Sequence, residues 1–556
     1  MTLPDRMSFR GFVAWFVVLF ALASLPVLLN DNLPLYDYPN HLARMYLLGA
    51  LPTSPLLQQY YATDWQPLPN LAMDLIVPLL GKVLPLAIAG KLFILLTLFL
   101  LAAGPALVHR VLFGSWSNVP LLAFLLLYGR ILLWGFLNLL FGLGLALVLF
   151  AAWIALRSRS PMLRFLMATC FAMMLYLAHL EALGIYGVLV IAYETGIAWQ
   201  RRETAYKRLV SLAVASLPLL VPLAVFLFDT PTPTNRAIGF SPLGRKFELI
   251  FTIFDAEDRV LDFACFLGVV GVMAVVLWRR WLSLAPAMKL PLVALGITYL
   301  TMPSNIFGAF GADHRLPLAM ALALVASLRW TAASETIQAR LMTGAAALFA
   351  LRLGAILVSW HHSDRIYASL LPALDTIPEG ARLAVAAPPE GVHATVTPLD
   401  HVPTLAIIRR NAFVPTLFTF PMQQPIQLTP EFRSLAKMLP PSVLWSYFVT
   451  GQRDIGHGDI DEAAIGCYDF IVFISRREFH VADHGLLQLV ADKPGFRMYK
   501  LSQDQPQSAC GRGRQISDLS SAVTGEATSG AGRGSVTTRP VDPLTMATVP
   551  TLPGLH

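Results

Sequence analysis

The feature that most constrains this chain is the recurrence of apolar runs long enough to cross a membrane. The first is GFVAWFVVLFALASLPVLL at residues 11–29. A bilayer core needs roughly 20 mostly apolar residues of helix to span it. Only 13% of the residues are charged, against roughly 25% in soluble domains, and the mean hydropathy is +0.61. The sequence therefore predicts a mainly α-helical, polytopic membrane protein.

Apolar windows of this kind indicate about eleven transmembrane helices. They lie near residues 11–29, 85–108, 119–134, 136–156, 163–178, 182–199, 209–228, 261–278, 284–302, 316–330 and 341–360. Two neighbouring pairs have almost no loop between them, so each is either a broken helix or a very tight turn. The basic start of the chain and the ALAS at 21–24 are also typical of a signal peptide. Because the apolar run continues to Leu29, we favour an uncleaved first helix.

Basic residues cluster in alternate connections between these runs. The clusters are Arg6 and Arg10, Arg110, Arg157 to Arg164, Arg201 to Arg208, Arg279 to Lys289, and Arg329 to Arg340. The positive-inside rule places them in the cytoplasm. We therefore predict a multi-pass protein of a bacterial-type inner (plasma) membrane, with a cytoplasmic N-terminus. Residues 1–361 form the transmembrane domain, and loops 30–84 and 229–260 and all that follows 361 are extracytoplasmic. Since these clusters account for the net charge of +7, the charge does not indicate nucleic-acid binding.

The start of the first extracytoplasmic loop, NLPLYDYPNHLARMYLL, holds three ionisable residues close together. Pro39 suits the first position of a helix, and His41 and Arg44, three residues apart, share a helix face. Asp37 precedes the helix start. We predict a short amphipathic helix on the outer membrane surface whose polar side carries all three side chains. The alternative is that Asp37 caps the helix and the other two form a solvated face.

Further candidates lie at the same predicted side of the membrane. In YLAHLEALGIYG, His179 and Glu181 stand at a membrane boundary, where ionisable residues indicate function or simply mark a helix end. In NIFGAFGADHRLPLAM, Asp313, His314 and Arg315 open the next apolar run. A helix N-terminus with an arginine attracts anions. Three cations fall inside predicted spans, namely Lys91, Arg130 and Arg352, and either reach the interface or bind a lipid phosphate.

The arrangement as a whole resembles the GT-C superfamily of integral-membrane glycosyltransferases. The resemblance covers roughly residues 1–360: a first span, a long extracytoplasmic loop with an acid near its start, and many further spans. It implies a polyprenyl-phosphate-linked sugar donor and a loop acid that activates the acceptor or coordinates a metal. By position, that acid is Asp37. Many members carry two adjacent acids, whereas this chain has DY, which leaves open a lone base or a divalent metal.

Beyond residue 361 the pattern changes to that of a small extracytoplasmic α/β domain over 362–504. IYASLLPALDTI predicts a helix, ARLAVAA and YDFIVFIS predict strands, and LLQLVADKPGFRMYKL predicts helix, turn and strand. The scattered histidines there, His393, His401, His457, His480 and His484, are interpreted as ordinary surface or core residues. Residues 505–556 are rich in Ser, Thr, Gly and Pro and are predicted to be disordered.

These observations predict a glycosyltransferase that moves a sugar from a lipid-linked donor to a glycan, lipid or protein acceptor. Asp37 would be the general base. Arg315, with Arg130 or Lys91, would stabilise charge on the leaving phosphate, and the remaining candidates would orient the acceptor or hold a metal. A transporter or flippase is the alternative from another class, although no internal repeat supports it. A polysaccharide polymerase or ligase would use the same donors.

Overall fold

The structure, a computed structural model, describes residues 7–202, 204–228, 238–306, 309–389, 399–420, 423–451, 462–475, 477–482 and 485–502. The predicted tail 505–556, the start of loop 229–260 and the histidines at 393, 457 and 484 lie outside these ranges. The helices are α1 (Phe9–Leu29), α2 (Tyr38–Ala50), α3 (Pro55–Gln58), α4 (Ala72–Leu80), α5 (Leu86–Phe113), α6 (Arg130–Leu133), α7 (Leu137–Ala155), α8 (Pro161–Ala178), α9 (Leu180–Gln200), α10 (Ala205–Phe228), α11 (Leu243–Ile250), α12 (Arg259–Trp278), α13 (Lys289–Thr301), α14 (Ala312–Ser327), α15 (Glu335–Asp375), α16 (Leu405–Arg410), α17 (Pro430–Met438), α18 (Pro441–Trp445) and α19 (Glu462–Ile465).

The described strands are short. They are β1 (Tyr61–Thr63), β2 (Ile238–Gly239), β3 (Leu282–Leu284), β4 (Asn305–Ile306), β5 (Ala309–Phe310), β6 (Leu328–Trp330), β7 (Leu383–Ala386), β8 (Ile426–Leu428), β9 (Phe470–Ile474), β10 (Leu487–Lys493) and β11 (Phe496–Leu501). The protein is thus mainly α-helical, with a small sheet-containing C-terminal region, as the sequence predicts.

Eight helices in the described residues are long and apolar enough to cross a membrane: α1, α5, α7, α8, α9, α10, α12 and α15. This number differs from the predicted count of about eleven. Two of the other predicted spans correspond to shorter helices, α13 of 13 residues and α14 of 16. The third, 119–134, is not a continuous helix. It consists of a 3₁₀ helix, Val119–Leu126, followed by a turn and the four-residue α6.

Arg352 on α15 explains how this broken segment is tolerated inside the bundle. Its guanidinium donates to three main-chain carbonyls, those of Leu125 at 2.7 Å, Tyr128 at 2.9 Å and Phe254 at 2.6 Å. Non-helical backbone at membrane depth is stable only where such carbonyls find partners. Arg352 is only 4% exposed and also pairs with the Asp262 carboxylate at 3.2 Å. The structure therefore gives Arg352 a structural role in place of the predicted contact with lipid phosphate.

The C-terminal region is built on a four-stranded sheet in the order β10–β11–β9–β7. β7 runs parallel to β9, and the other two pairings are antiparallel. The predicted strands at 383–386 and 470–474 are confirmed, whereas the predicted helix at 487–493 is wrong, because that segment is β10, a strand paired along its length with β11. The helix predicted from IYASLLPALDTI is the end of α15, which has 41 residues and runs unbroken across the predicted domain boundary at 361.

The first loop packs into the C-terminal region. β1 pairs antiparallel with β8, with Tyr61 opposite Leu428. Leu47, Leu51 and Leu57 of the loop share one hydrophobic core with that region. Most of α2 is consequently buried, including His41 and Arg44. The prediction of a helix on the outer membrane surface is therefore wrong, because α2 is enclosed by the membrane bundle on one side and the C-terminal region on the other. The alternative, in which His41 and Arg44 form a solvated face, is also wrong, because both are buried.

Candidate active site

A cavity of about 700 Å³ opens where the bundle meets the C-terminal region. Its polar end is lined by the loop before α2, the Trp134–Leu139 turn, the start of α9 and the start of α14. The C-terminal region closes one side with Phe418, Phe420, Gln423 and Gln424. Of the predicted site residues, the cavity brings together Asp37, His41, His179, Glu181 and Arg315.

The deeper part of this cavity is apolar. Gly184, Ile185 and Val188 of α9 line it at helical spacing, and Phe226 of α10 and Met302, which follows α13, add further apolar lining. At 1.5 Å per residue, Val188 lies about 12 Å along the helix from its first residue. The cavity is therefore amphipathic, with ionisable groups at its mouth and an apolar floor that extends into the bundle.

Asp37 is held at the mouth by backbone contacts with the broken segment. Its N–H donates to the Trp134 carbonyl at 3.2 Å, and the preceding N–H of Tyr36 donates to Leu133 at 2.8 Å. Pro39 directs the chain into α2 immediately afterwards. The two hydrogen bonds fix the main chain that leads into Asp37, and Pro39 restricts the chain that leaves it, so the Asp37 side chain is held where it lines the cavity.

Gly135 makes this close approach possible. Its φ is +83°, a left-handed conformation that side-chain-bearing residues rarely adopt. A Cβ at this position would lie 2.9 Å from the Asp37 nitrogen and 3.0 Å from the Asp37 Cβ. The glycine thus serves both the backbone turn and the packing of the Asp37 loop against it.

Burial dominates the electrostatics of Asp37. The residue is 8% exposed, and burial raises the pKa of its carboxyl to about 8, against the opposing effect of Arg44 and Arg315. Desolvation disfavours the charged form of an acid, whereas a nearby cation favours it. A carboxyl with such a pKa can hold or release a proton near neutral pH, as a general acid or base requires.

His401, which the sequence alone leads us to interpret as an ordinary histidine, lies beside Asp37. Its Nε2 lies 3.6 Å from Oδ1 of Asp37, and its ring lies edge-on to Tyr36 and Phe418. Burial lowers the pKa of His401 to about 4, so the ring is neutral. No local motif marks this histidine, because 364 residues separate it from Asp37 in the chain. Only the packing of the first loop on the C-terminal region brings them together.

His41 and Arg44 lie on α2 in different surroundings. His41 lines the cavity, and its Nε2 is 3.2 Å from the Gly135 carbonyl. Burial, with Arg44 as a second cause, lowers the pKa of His41 well below its usual value. Arg44 faces away from the cavity and forms a fully buried bidentate pair with Asp74 of α4, at 2.7 Å and 3.0 Å. The structure therefore separates Arg44 from the two residues with which we grouped it.

Across the cavity from this loop, Arg315 of α14 meets the start of α9. Its NH1 donates to Glu181 Oε2 at 3.1 Å, and its guanidinium lies over the Phe136 ring, 4.7 Å from the centroid. His179 is the only non-helical residue between α8 and α9, and its Nδ1 accepts from the Glu181 N–H at 3.2 Å. The extended backbone at His179 is the break that lets both side chains line one cavity.

Asp313 and His314 lie beside this group and do not line the cavity. Asp313 is fully buried, 3.5 Å from the ammonium of Lys246 on α11. That ammonium also caps α13 through the carbonyls of Tyr299 and Met302. His314 packs on the Trp134 ring, with centroids 5.1 Å apart. Gly311 occupies the N-cap of α14.

The remaining cations predicted to bind a lipid phosphate are already engaged. Lys91 is 3.8 Å from the exposed carboxylate of Asp31 and does not line the cavity. Arg130 pairs with the buried Asp255, and its guanidinium lies 5.9 Å from the centroid of the Trp134 ring. Among the predicted cations, Arg315 is therefore the one that lines the amphipathic cavity.

A divalent metal is part of the expectation that the resemblance raised. Over the residues that the structure describes, no group of three or more His, Cys, Asp or Glu side chains is placed to hold a metal ion. Asp37 has no second carboxylate beside it in the sequence. The donor set does not fit a metal site, and we derive no step through one.

No family model and no curated protein matches the sequence. Solved structures do match the fold. One is ArnT from Cupriavidus metallidurans bound to undecaprenyl phosphate, at a TM-score of 0.50 and 13% identity over 90% of this chain and 100% of that one. Another is the arabinofuranosyltransferase AftD from mycobacteria, at 0.46 and 17% identity over 90% of this chain. This chain spans 40% of the length of AftD.

Bundle, first loop and C-terminal region together define a polytopic membrane protein with an amphipathic cavity between them. The chain shares the fold of the ArnT structure.

Proposed function

We propose that the protein is a glycosyltransferase that moves a sugar from a polyprenyl-phosphate-linked donor to an acceptor hydroxyl, with Asp37 as the general base. One observation carries this proposal. Asp37 is a buried carboxyl with no lysine or arginine within ion-pair distance among the described residues, and it lines a cavity whose lining is largely apolar. Buried acids without such partners in a cavity are characteristic of active sites.

The apolar floor supports a lipid-linked donor. A prenyl chain would lie along Gly184, Ile185 and Val188 and against Phe226. Each Å² of apolar surface buried there would favour binding by about 25 cal/mol. The ArnT structure of the same fold carries undecaprenyl phosphate, a ligand of this chemical class. The phosphate would then come to the level of Arg315, at the mouth.

The reaction needs one proton acceptor and one site for anionic charge. Asp37 takes the proton from the acceptor hydroxyl as its oxygen forms a bond to the anomeric carbon. The bond between that carbon and the phosphate oxygen breaks, and polyprenyl phosphate leaves with the electron pair. Arg315 faces this developing charge, and an arginine suits phosphate through its planar, multidentate guanidinium.

The sidedness of the site follows from the charge pattern. The basic clusters indicate that the cavity opens on the extracytoplasmic face, and we propose that transfer occurs there. The acceptor would be a glycan, lipid or protein that reaches the mouth from that side. His41, His179 and Glu181, which line the mouth, would orient the reacting groups.

Asp37→Asn is the direct test. Membranes that contain the protein are supplied with radiolabelled polyprenyl-phosphate sugars, and label that moves from the prenyl lipid to another product is counted. Loss of a positioned base lowers the rate by about 10²- to 10⁴-fold. Asp64→Asn is the matched control, because Asp64 is an exposed acid in the same loop. Unchanged transfer in Asp37→Asn would exclude Asp37 as the base.

The same assay separates the other functions. Movement of solute or lipid across the membrane without any sugar transfer would identify a transporter or flippase. Wild type and Asp37→Asn would then both show no sugar transfer. Growth of product to repeated units would identify a polymerase. Transfer of a preassembled glycan in one step would identify a ligase.

A further inference from the structure

The geometry around Asp37 points to a specific task for the C-terminal region. We propose that His401 is a positioning residue that offers its Nε2–H to Oδ1 of Asp37 and thereby favours the ionised base. The C-terminal region would then be part of the acid–base machinery. The inference rests on the proposed role of Asp37 as base.

Asn40 determines which ring nitrogen of His401 carries the hydrogen. Its Oδ1 accepts from the N–H of Phe418 at 2.7 Å, which can only donate, so the amide orientation is fixed. Its Nδ2 donates to the Thr416 carbonyl at 2.9 Å and lies 3.2 Å from Nδ1 of His401. Because Nδ1 receives this N–H, the neutral ring holds its own hydrogen on Nε2, the nitrogen that faces Asp37.

This arrangement excludes one role and indicates another. Nδ1 is occupied by the amide and Nε2 already carries hydrogen, so His401 has no site at which to take the proton from Asp37. What it can do is donate. The present 3.6 Å between Nε2 and Oδ1 is slightly longer than a hydrogen bond, and such bonds at active sites often shorten only when the charge they serve develops. His401 would also turn Oδ1 toward itself and leave Oδ2 for the acceptor hydroxyl.

Other charges near Asp37 do not replace this donor. The titratable and charged groups that face it are His41 and Arg44 on α2, Arg315 on α14 and His401. Arg44 is bound to Asp74 and Arg315 to Glu181, while His41 directs its Nε2 to Gly135. Burial nonetheless holds the pKa of Asp37 near 8. A donor aimed at the carboxylate opposes that effect of burial.

The test uses a readout independent of glycosyl transfer. An apolar carbodiimide reacts with protonated carboxyls in membrane proteins, so the extent of Asp37 labelling at each pH, mapped by mass spectrometry of peptides, gives the midpoint of its titration. His401→Phe keeps the ring volume and its packing against Phe418 but removes the N–H. We expect its labelling midpoint to move to higher pH by roughly one unit. His401→Gln, which retains an N–H donor, should restore the wild-type midpoint.

Sugar-transfer assays of the same variants then distinguish failure of the His401 inference from failure of the proposed function. The acid limb of the rate profile in His401→Phe should move by the same amount as the labelling midpoint. His401→Leu serves in place of His401→Phe if the latter does not fold. A midpoint that is identical in wild type, His401→Phe and His401→Leu would overturn the inference. A shifted midpoint with no transfer activity in any form would instead refute the proposed function while leaving the His401–Asp37 contact established.

Discussion

Two buried carboxylates, Glu194 and Asp37, show how the same chemical group is used in opposite ways. Glu194 of α9 is fully buried and accepts four hydrogen bonds, from Trp153 at 3.0 Å, Arg157 at 3.2 Å, Arg164 at 2.7 Å and Ser211 at 2.8 Å. Asp37 is nearly as buried, yet its closest charge-capable neighbour is His401 at 3.6 Å, and it lines a cavity.

The difference lies in the partners, since both groups are buried. Two cations and two neutral donors compensate the cost of taking the Glu194 charge out of water. These hydrogen bonds connect α9 to α7, α8 and α10. Asp37 lacks such partners, so the cost of burying its charge raises the pKa of its carboxyl instead. Burial alone therefore does not distinguish the two acids; the absence of a paired lysine or arginine among the described residues, and the position beside a cavity, set Asp37 apart and support its proposed role as the base.

The largest effect on stability is expected from Glu194→Ala. Removing the carboxylate leaves Arg157 and Arg164 at the membrane boundary without their shared partner, which costs about 3–5 kcal/mol for a buried pair. Denaturant unfolding in detergent measures it. Glu248→Ala is the control, because Glu248 forms an exposed pair with Arg245 on α11 and its loss should leave unfolding unchanged. Equal free energies of unfolding for Glu194→Ala and Glu248→Ala would show that the partners of Glu194 do not stabilise the fold, and would contradict its contrast with Asp37.

Arg315→Gln tests the start of α9, at the end opposite to Glu194, through its effect on sugar transfer. We expect transfer to fall by about 10²- to 10³-fold, the usual cost of removing one group that stabilises developing anionic charge. The variant also leaves Glu181 unpaired, so the double variant Arg315→Gln/Glu181→Gln is needed. If the double variant recovers the wild-type rate, Arg315 serves only to neutralise Glu181. Arg245→Gln, on the exposed part of α11, is the matched control for loss of a cation.

Gly135→Ala should come next in size. The added Cβ meets the Asp37 backbone at 2.9 Å and is strained at a φ of +83°, a cost of about 1–3 kcal/mol. The Asp37 loop would shift, and at tenfold in rate per 1.36 kcal/mol this cost corresponds to a fall in transfer of roughly 5- to 150-fold. Gly49→Ala on α2 is the control, because a Cβ there has no neighbour within 4 Å. A Gly135→Ala protein with full activity would show that the loop position does not matter.

A pH profile gives the fourth prediction. The base must be ionised, so the rate should rise about tenfold per pH unit below the pKa of about 8 and level off above it. The stability effect has the opposite sign. In an unfolded chain the Asp37 carboxyl has its ordinary pKa of 3.8, whereas in the folded protein burial raises that pKa to about 8. The contribution of this group to the free energy of unfolding therefore falls as pH rises between those values.

Asp37→Asn should abolish that fall in stability, since it removes the titrating group. Unfolding midpoints of wild type and Asp37→Asn, measured from pH 5 to 9, would converge at acidic pH and separate at alkaline pH. Curves that remain parallel throughout would show that the pKa of Asp37 is not raised in the folded protein.

The membrane bundle was largely predictable from sequence because its signal is local. A run such as residues 11–29 is long and apolar enough to indicate a helix without reference to any partner. Residues 119–134 are equally apolar but form a broken segment, since their carbonyls find Arg352 some 220 residues later. The prediction failed where a distant side chain made an irregular backbone stable.

The candidate site divides in the same way. Asp37 could be found from its place after the first span, and His179, Glu181 and Arg315 from their position at membrane boundaries. His401 could not, because its contact with Asp37 depends on the pairing of β1 with β8 and on the amide of Asn40. Arg44 shows the converse error, since helical spacing grouped it with Asp37 whereas Asp74, 30 residues later, takes its side chain into the core.

The smallest effect on transfer is expected from Lys91→Gln, and a small effect would support placing the donor phosphate away from Lys91. Lys91 was predicted with Arg130 and Arg352 to bind a lipid phosphate, yet it lies outside the cavity and contacts only the exposed Asp31 among the carboxylates that the structure describes. Exposed ion pairs of this kind contribute little, so transfer should change by less than about twofold. A large rise in the KM for the lipid-linked donor in Lys91→Gln, with Arg315→Gln unaffected, would place the donor phosphate beside α5 and move the proposed site away from α14.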